Sequence, residues 1–348
     1  MEMALSVASL EPAWIEAFEA VFRRCGLVPG DAACLLTENR SRPVNIALAE
    51  LALSRIGARH VGLRLPTPPQ TAPVPVRSTG ASRALGGHPA ALAALAACPF
   101  VVDLTVEGLL HAPELKAILA AGSRVLMVSN EHPDALERLV PRDEDEADAR
   151  AAVKRARAAR HMHVTSAAGT DLHVAMEGAP SVGVWGWTTR PGTIAHWPGG
   201  ILVAFPRAGA VQGRLVLDAG DVNLTFKRYL ADAVTLRIAD DHVGAIEGRS
   251  VDADLMRGYF EAWGDRSAYA VSHVGWGLNR RARWDAMAFY DKADFNGTEL
   301  RAFAGNFLYS TGANEVAGRH TLGHFDLPLR ACTVRLDGVA VVEQGVLL

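Results

Sequence analysis

Long apolar runs, an excess of charge of either sign and clustered cysteines are all missing from this 348-residue chain. No uninterrupted apolar stretch is long enough to cross a bilayer, and the acidic, amphipathic N-terminus lacks the basic start and apolar run of an export signal. A cytoplasmic protein with no membrane partner is therefore expected. With 35 Lys and Arg against 38 Asp and Glu, the formal charge of -3 creates no field to gather nucleic acid or anionic lipid. The four cysteines, Cys25, Cys34, Cys98 and Cys332, show no C-x-x-C or metal-knuckle spacing. They read as reduced thiols, with Cys98 in AACPF as core. The chain also carries neither G-x-G-x-x-G nor G-x-x-x-x-G-K-[ST], so the sequence signs of a dinucleotide or nucleoside triphosphate site are lacking.

What is present points to two lobes. The length exceeds what one core usually serves, and the texture changes near residue 160. Before it, ACLLTE, HVGLRLP, PFVVDLT and SRVLMVSN read as apolar strands. Helices over Glu11 to Cys25, PVNIALAELALSRIG, Pro89 to Ala97 and Pro113 to Ala121 alternate with them, which predicts βαβ units and a mainly parallel sheet. PTPPQTAPVPV, residues 66–76, reads as a surface loop, and RDEDEADARAAVKRARAAR as a solvated helix at the junction between lobes. After it, HMHVTSAAGTDLHVAM, GRLVLDAGD, VTLRIADDHVGAIEG and CTVRLDGVAVVEQ read as short antiparallel strands, with helices inserted near Asp252 to Trp263 and Arg281 to Tyr290. Asp337-Gly338 is a two-residue hairpin signal. The expected fold is thus α/β plus α+β, with an N-terminal domain over 1–160 and a C-terminal domain over 161–348.

The segment GRHTLGHFDLPLR raises the question of a metal. In a strand, residues two apart share a face, so the His324 imidazole and the Asp326 carboxylate can reach one ion. His273, in AVSHVGWGLNRRARW among glycines and a tryptophan that suggest tight turns, is the best third ligand. Two imidazoles and a carboxylate suit a non-haem Fe(II) oxygenase, and the same set suits catalytic zinc. Spacing alone fits equally well a structural hydrogen bond between His324 and Asp326. Two more histidines bear on the choice. His111 follows the strand PFVVDLT and precedes a helix opened by Pro113, where open α/β sheets place ligand-binding residues. His196, in IAHWPGG, reads as a loop residue beside Trp185 and Trp187, which alternate in a strand. Each histidine alone fits a cap or loop role, and together they supply groups for acid–base work. Asp171, Asp218 and Asp221 read as turn formers, Ser310 and Thr311 as donors to a turn or a substrate oxygen, and Arg280, Arg281 and Arg283 as surface charges.

The segments LLHAPE, HVTSAAGTDLH, HWPGG, LVLDAGD, SHVGWGLNRRARW, GNFLYSTGAN and GHFDLPLR, in this order from about residue 100 to near the C-terminus, resemble the Fe(II)-dependent 2,5-dihydroxypyridine 5,6-dioxygenases of nicotinate and nicotine breakdown. That family is related in fold to metal-dependent leucyl aminopeptidases. The resemblance implies His273, His324 and Asp326 as Fe(II) ligands and His111 and His196 as acid–base residues, with His320 outside the pattern. It also implies dioxygen and a hydroxylated pyridine as substrates, N-formylmaleamate as product, and a homo-oligomer. A metallohydrolase using the same three ligands is the alternative, although SHVGWG lacks the carboxylate that a two-metal hydrolase would place there.

Overall fold

The structure, a computed structural model, describes residues 10–70, 72–73 and 82–348. The chain forms two compact units, and it passes between them more than once. The first unit takes the described residues within Met1–Pro69, Ser82–Pro141 and Gly186–Gly199, and the second those within Gln70–Ala81, Arg142–Trp185 and Gly200–Leu348.

The first unit opens with α1 (Pro12–Arg24), β1 (Ala32–Glu38), α2 (Pro43–Ile56), β2 (Arg59–Leu65), α3 (Pro89–Ala97), β3 (Phe100–Asp103), α4 (Leu115–Ala120), β4 (Arg124–Val128) and α5 (Pro133–Arg138). After α6 (Asp143–Ala158), β5 (His161–Ser166), β6 (Asp171–Ala175) and β7 (Ser181–Val184) of the second unit, the chain returns to the first for β8 (Ile194–Trp197). Proline occupies the first helical position of α1, α2, α3 and α5, where its missing N–H has no helical partner to lose. Gly57 ends α2 in the left-handed region at φ 81°. The sheet runs β2-β1-β3-β4-β8, and every neighbouring pair is parallel. Cys34, Leu36, Val101 and Val125 pack with Leu95, Leu115 and Ile118 of the helices. Phe22 meets Phe100 edge-on at 6.1 Å, and Phe18 meets Trp197 at 4.9 Å. Strands β1 and β3 are thus apolar along nearly their whole length because both faces are covered.

The second unit continues with β9 (Ile201–Ala204), β10 (Val211–Leu217), β11 (Val222–Asn223), β12 (Arg228–Tyr229), β13 (Val234–Ala239), β14 (His242–Glu247), α7 (Val251–Trp263), β15 (Val271–Gly277), α8 (Thr298–Ala302), β16 (Phe307–Thr311), β17 (Phe325–Leu329), β18 (Cys332–Leu336), β19 (Val339–Glu343) and β20 (Val346–Leu347). One antiparallel sheet has the order β14-β13-β10-β6-β5-β18-β19-β20, a second β17-β16-β15-β9-β7, and β11 pairs with β12. Met162, Val164, Leu172 and Val174 of the larger sheet share one core with Val274, Trp276, Tyr309 and Phe325 of the smaller. At about 25 cal/mol per Å² of apolar surface, fully burying an aromatic side chain such as Trp276 contributes roughly 3 kcal/mol, so this core dominates the unit's stability. Asp337 and Gly338 both have positive φ, 48° and 85°, as a type I′ hairpin requires.

The mixed α/β architecture is the expected one, and several local expectations need correction. Arg281 to Tyr290 forms only a 3-10 turn over Trp284–Ala288 instead of a helix. Trp185 and Trp187 do not alternate in a strand: β7 ends at Val184, and Gly186 between them turns at φ 104°. Cys98 is half-buried, whereas Cys25, Cys34 and Cys332 are buried, and all four are free thiols. Of the loop over 66–76, residues 71 and 74–76 lie outside the described residues. Among the described residues no helix is long and apolar enough to cross a membrane.

Candidate metal centre

Three neighbouring strands of the second unit bring the candidate ligands into line. His273 on β15 pairs with Ser310 on β16, and Ser310 pairs with Asp326 on β17, so the three side chains form one row across the sheet. The row depends on an irregularity. Between Val271 and His273 the register shifts by one, a bulge at Ser272 that re-aims the following side chain. His324 lies just ahead of β17 rather than in a strand, two residues before Asp326, and its side chain still reaches that carboxylate.

All three candidate ligands are buried, at 6–7% exposure, and each offers one donor atom within 4.8 Å of the others. His324 Nε2 lies 3.2 Å from Asp326 Oδ1, and His273 Nε2 lies 3.9 Å from the same oxygen. Asp326 Oδ1 accepts the Ser310 hydroxyl, and Oδ2 accepts Arg301 Nε of α8. Burial alone would raise the Asp326 carboxyl, but the His324 imidazole and the Arg301 guanidinium outweigh it and hold the group well below the ordinary carboxylate range. Burial pushes the His273 imidazole down to about 3, against the opposing pull of Asp326.

A hydrogen-bonded His324–Asp326 pair accounts for two members of this group without an ion, but it leaves His273 unexplained. Its Nδ1 is buried with no hydrogen-bond partner, and its Nε2 is too far from Asp326 to form one. A neutral imidazole with an unused lone pair, beside an ionised carboxylate and a second imidazole, is what a divalent cation needs. Ligand bonds of about 2.0–2.2 Å place neighbouring donors roughly 3–3.6 Å apart; the His324–Asp326 separation of 3.2 Å falls in that range, and the His273–Asp326 separation of 3.9 Å lies just beyond it. The residues present therefore fit a metal.

Other residues fix these side chains. The Tyr259 hydroxyl of α7 donates to the His324 carbonyl at 2.6 Å and accepts the His324 N–H at 3.2 Å, pinning both backbone groups. Gly312, at φ 122°, lets the chain after β16 approach the same segment, since a Cβ there would stand 2.2 Å from the Gly323 carbonyl oxygen. The glycines around His273 are strand residues, not turns. A Cβ on Gly275 would lie 1.8 Å from the Leu202 oxygen, so its absence is what lets β15 lie against β9. Arg301 and Tyr259 carry no spacing or motif that marks them in sequence. Ser310 turns to the carboxylate from a strand rather than closing a turn. Asp221 does bind backbone amides, those of Asp218 and Arg330. Arg281 pairs with Asp145 at 2.5 Å and Arg283 with Asp285 at 2.8 Å.

His111 and His196 belong to the first unit, both at the carboxyl edge of its parallel sheet. The strand order reverses between β1 and β3, the position where open α/β sheets bind ligands, and His111 lies in the turn after β3. That turn is tethered from within. Asp103 accepts the N–H groups of Thr105 and Leu109 and the Thr105 hydroxyl, while Glu38 accepts the Val106 N–H. Burial pushes the Asp103 carboxyl up to about 6, against these hydrogen bonds. His196 sits in β8, not in a loop: IAHW becomes a strand only by pairing with β4, with His196 opposite Met127. Its Nδ1 lies 2.8 Å from the Pro198 carbonyl oxygen. A carbonyl only accepts, so Nδ1 carries the proton and the neutral ring has its lone pair on Nε2. His320 lies exposed in the loop before β17.

A family model for NicX, 2,5-dihydroxypyridine 5,6-dioxygenase, matches residues 13–348. The chain belongs to this family. It is 37% identical over 332 residues to the 2,5-dihydroxypyridine 5,6-dioxygenase of Pseudomonas putida KT2440, covering 94% of each chain. The solved structure of 2,5-dihydroxypyridine dioxygenase from Pseudomonas putida KT2440 superposes with a TM-score of 0.90 at 36% identity, covering 96% of both chains. Wild-type AmpT from Thermus thermophilus shares the fold, with a TM-score of 0.64 at 15% identity over 97% of this chain and 99% of its own. Membership makes the chain an enzyme of the dioxygenase kind.

Tyr259→Phe tests the tether on His324. Losing a hydroxyl that serves two backbone groups should weaken metal affinity by about tenfold or more while the fold persists. Content of an added divalent metal after dialysis against a graded chelator reads this directly, and an unchanged affinity would show that the tether does not act on the metal centre.

Proposed function

We propose that this protein is an Fe(II)-dependent dioxygenase that opens 2,5-dihydroxypyridine between C5 and C6 to N-formylmaleamate, with both atoms of dioxygen entering the product. His273, His324 and Asp326 would hold the iron, and His111 and His196 would move protons. The observation that carries this reading is the convergence of a second buried imidazole and an ionised carboxylate on an otherwise unexplained His273. The Pseudomonas putida relative is named for this ring, and the family match spans residues 13–348. The free thiols suit a reducing compartment such as the cytoplasm.

Held by His273, His324 and Asp326, Fe(II) would supply the one-electron chemistry that a reaction between a spin-paired ring and dioxygen requires. The chain's own residues do the rest. Asp326 contributes the single negative charge of the ligand set, and Ser310 and Arg301 fix the direction of its oxygens. Arg301 also withdraws charge from Oδ2, which leaves Oδ1 as the oxygen aimed at the imidazoles. His111 takes the proton of a ring hydroxyl. His196 accepts and returns a proton at Nε2, because Nδ1 is committed to the Pro198 carbonyl.

The test is oxygen uptake by anaerobically purified, Fe(II)-loaded protein with 2,5-dihydroxypyridine, with ring absorbance followed in parallel. One dioxygen consumed per ring lost is expected. No uptake with one iron bound per chain would refute the ring, and no iron binding would refute the ligand assignment and favour a hydrolase. His111→Ala should keep its iron and lose about 10²–10⁴-fold in turnover. Loss of iron from that variant would overturn the division of labour between proton transfer and ligation.

A further inference from the structure

The larger antiparallel sheet carries a second group of metal-binding side chains that the proposed reaction does not use. On β5 and β6 the buried Met162, Val164, Leu172 and Val174 face the core, so the alternate residues all point outward. Those residues include His161 and His163 on one strand and Asp171 and His173 on the other. His163 and His173 are direct cross-strand partners, and their rings stack at 4.3 Å and 10°. His163 Nε2 lies 2.8 Å and His173 Nε2 3.4 Å from the same oxygen, Asp171 Oδ1. His161 extends the row, with its Nε2 3.3 Å from His173 Nδ1.

We infer that His163, Asp171 and His173, flanked by His161, form a surface site for a divalent transition-metal ion that prefers imidazole, zinc or copper. The two separations from Asp171 Oδ1, 2.8 Å to His163 and 3.4 Å to His173, lie near the edge of a metal's coordination shell, about 3.3 Å at zinc–nitrogen bond lengths. Two imidazoles and one carboxylate suit zinc and copper better than magnesium or calcium, which take oxygen ligands. The donors sit on a rigid support, since β5 and β6 are interior strands of an eight-stranded sheet. Partial exposure of all three leaves positions open to water or a further ligand. The charged neighbours do not block the site. Arg214, opposite Asp171, donates to the Gly169 carbonyl, and Arg335, opposite His163, lies 3.7 Å from Glu343. Gln212 faces His173 from the next strand. An ion here would clip β5 to β6 independently of the buried centre.

The experiment is zinc stoichiometry on the full, metal-depleted chain, measured by equilibrium dialysis against zinc chloride for the wild type and the double variant His163→Ala, His173→Ala. The double variant should bind one equivalent fewer than the wild type whatever the buried centre retains, and zinc should raise the Tm of the wild type by more than that of the variant. Equal stoichiometry would overturn the site and leave the four residues as a hydrogen-bonded surface ladder only. Oxygen uptake by the iron-loaded double variant should match the wild type and so reports that it is folded. If the double variant does not fold, His173→Gln should weaken this equivalent at least tenfold, and undiminished affinity there would overturn the site as well.

Discussion

On the proposed ligand assignment, Asp326→Asn should abolish retention of added Fe(II) and lower ring-opening kcat/KM by about 10³-fold or more. The substitution keeps the volume of the side chain and removes the negative charge, so the comparison isolates electrostatics from packing. In the native site that charge is the focus of four groups: the Ser310 hydroxyl, the Arg301 guanidinium and the imidazoles of His324 and His273. An amide has one acceptor oxygen where the carboxylate has two, and its NH₂ group would face either Arg301 or Ser310 as an unwanted donor. Two neutral imidazoles alone hold a divalent ion far less tightly than the same pair with an anion. Iron per chain after gel filtration and oxygen uptake under saturating Fe(II) are the measurements. Full activity restored by excess Fe(II) would limit Asp326 to affinity, and retained iron at native affinity would remove it from the ligand set.

Arg301→Met should destabilise the metal-free protein by about 3 kcal/mol and the metal-loaded protein by much less. Removing one member of a buried ion pair leaves the other charge uncompensated, at a cost of roughly 3–5 kcal/mol. The lower end applies because the Arg301 side chain keeps 18% exposure while Asp326 keeps 6%. A cation bound by Asp326 would neutralise the same carboxylate and so replace much of what the guanidinium does. Urea midpoints of apo and loaded protein, each for wild type and variant, give the four numbers required. Equal losses with and without metal would show that Asp326 does not couple to the ion. The same variant should also lose turnover, because Oδ2 would become free to rotate toward the metal and change how the carboxylate presents Oδ1.

Much of the fold was legible in local sequence. Proline at the first turn of four helices, Gly57 at the end of α2, the apolar runs of β1, β3 and β4, and the Asp337-Gly338 hairpin each state their structure within a few residues, because φ restrictions and side-chain period act over that range. The parallel character of one sheet and the antiparallel character of the others followed from the change in spacing between strands. The reach of the HxD pair was equally local, since a single residue separates the two, although His324 lies just ahead of β17.

Tertiary structure decided what lay beyond that range. His273 and Asp326 are 53 positions apart, and only the register β15-β16-β17, with the bulge at Ser272, sets them in one row through Ser310. Arg301 and Tyr259 reach Asp326 and His324 from two different helices, and neither contact leaves a mark in spacing or composition. IAHW became a strand, and Trp185 and Trp187 fell outside one, because strand pairing depends on which distant segment is available as a partner. The outward row of His161, His163, Asp171 and His173 combines both levels. Alternation along each strand was written in the sequence, but the facing of His163 and His173 was fixed only when β5 and β6 paired. Side-chain period is a property of one strand, whereas register is a property of two, and the chemistry of both clusters depends on register.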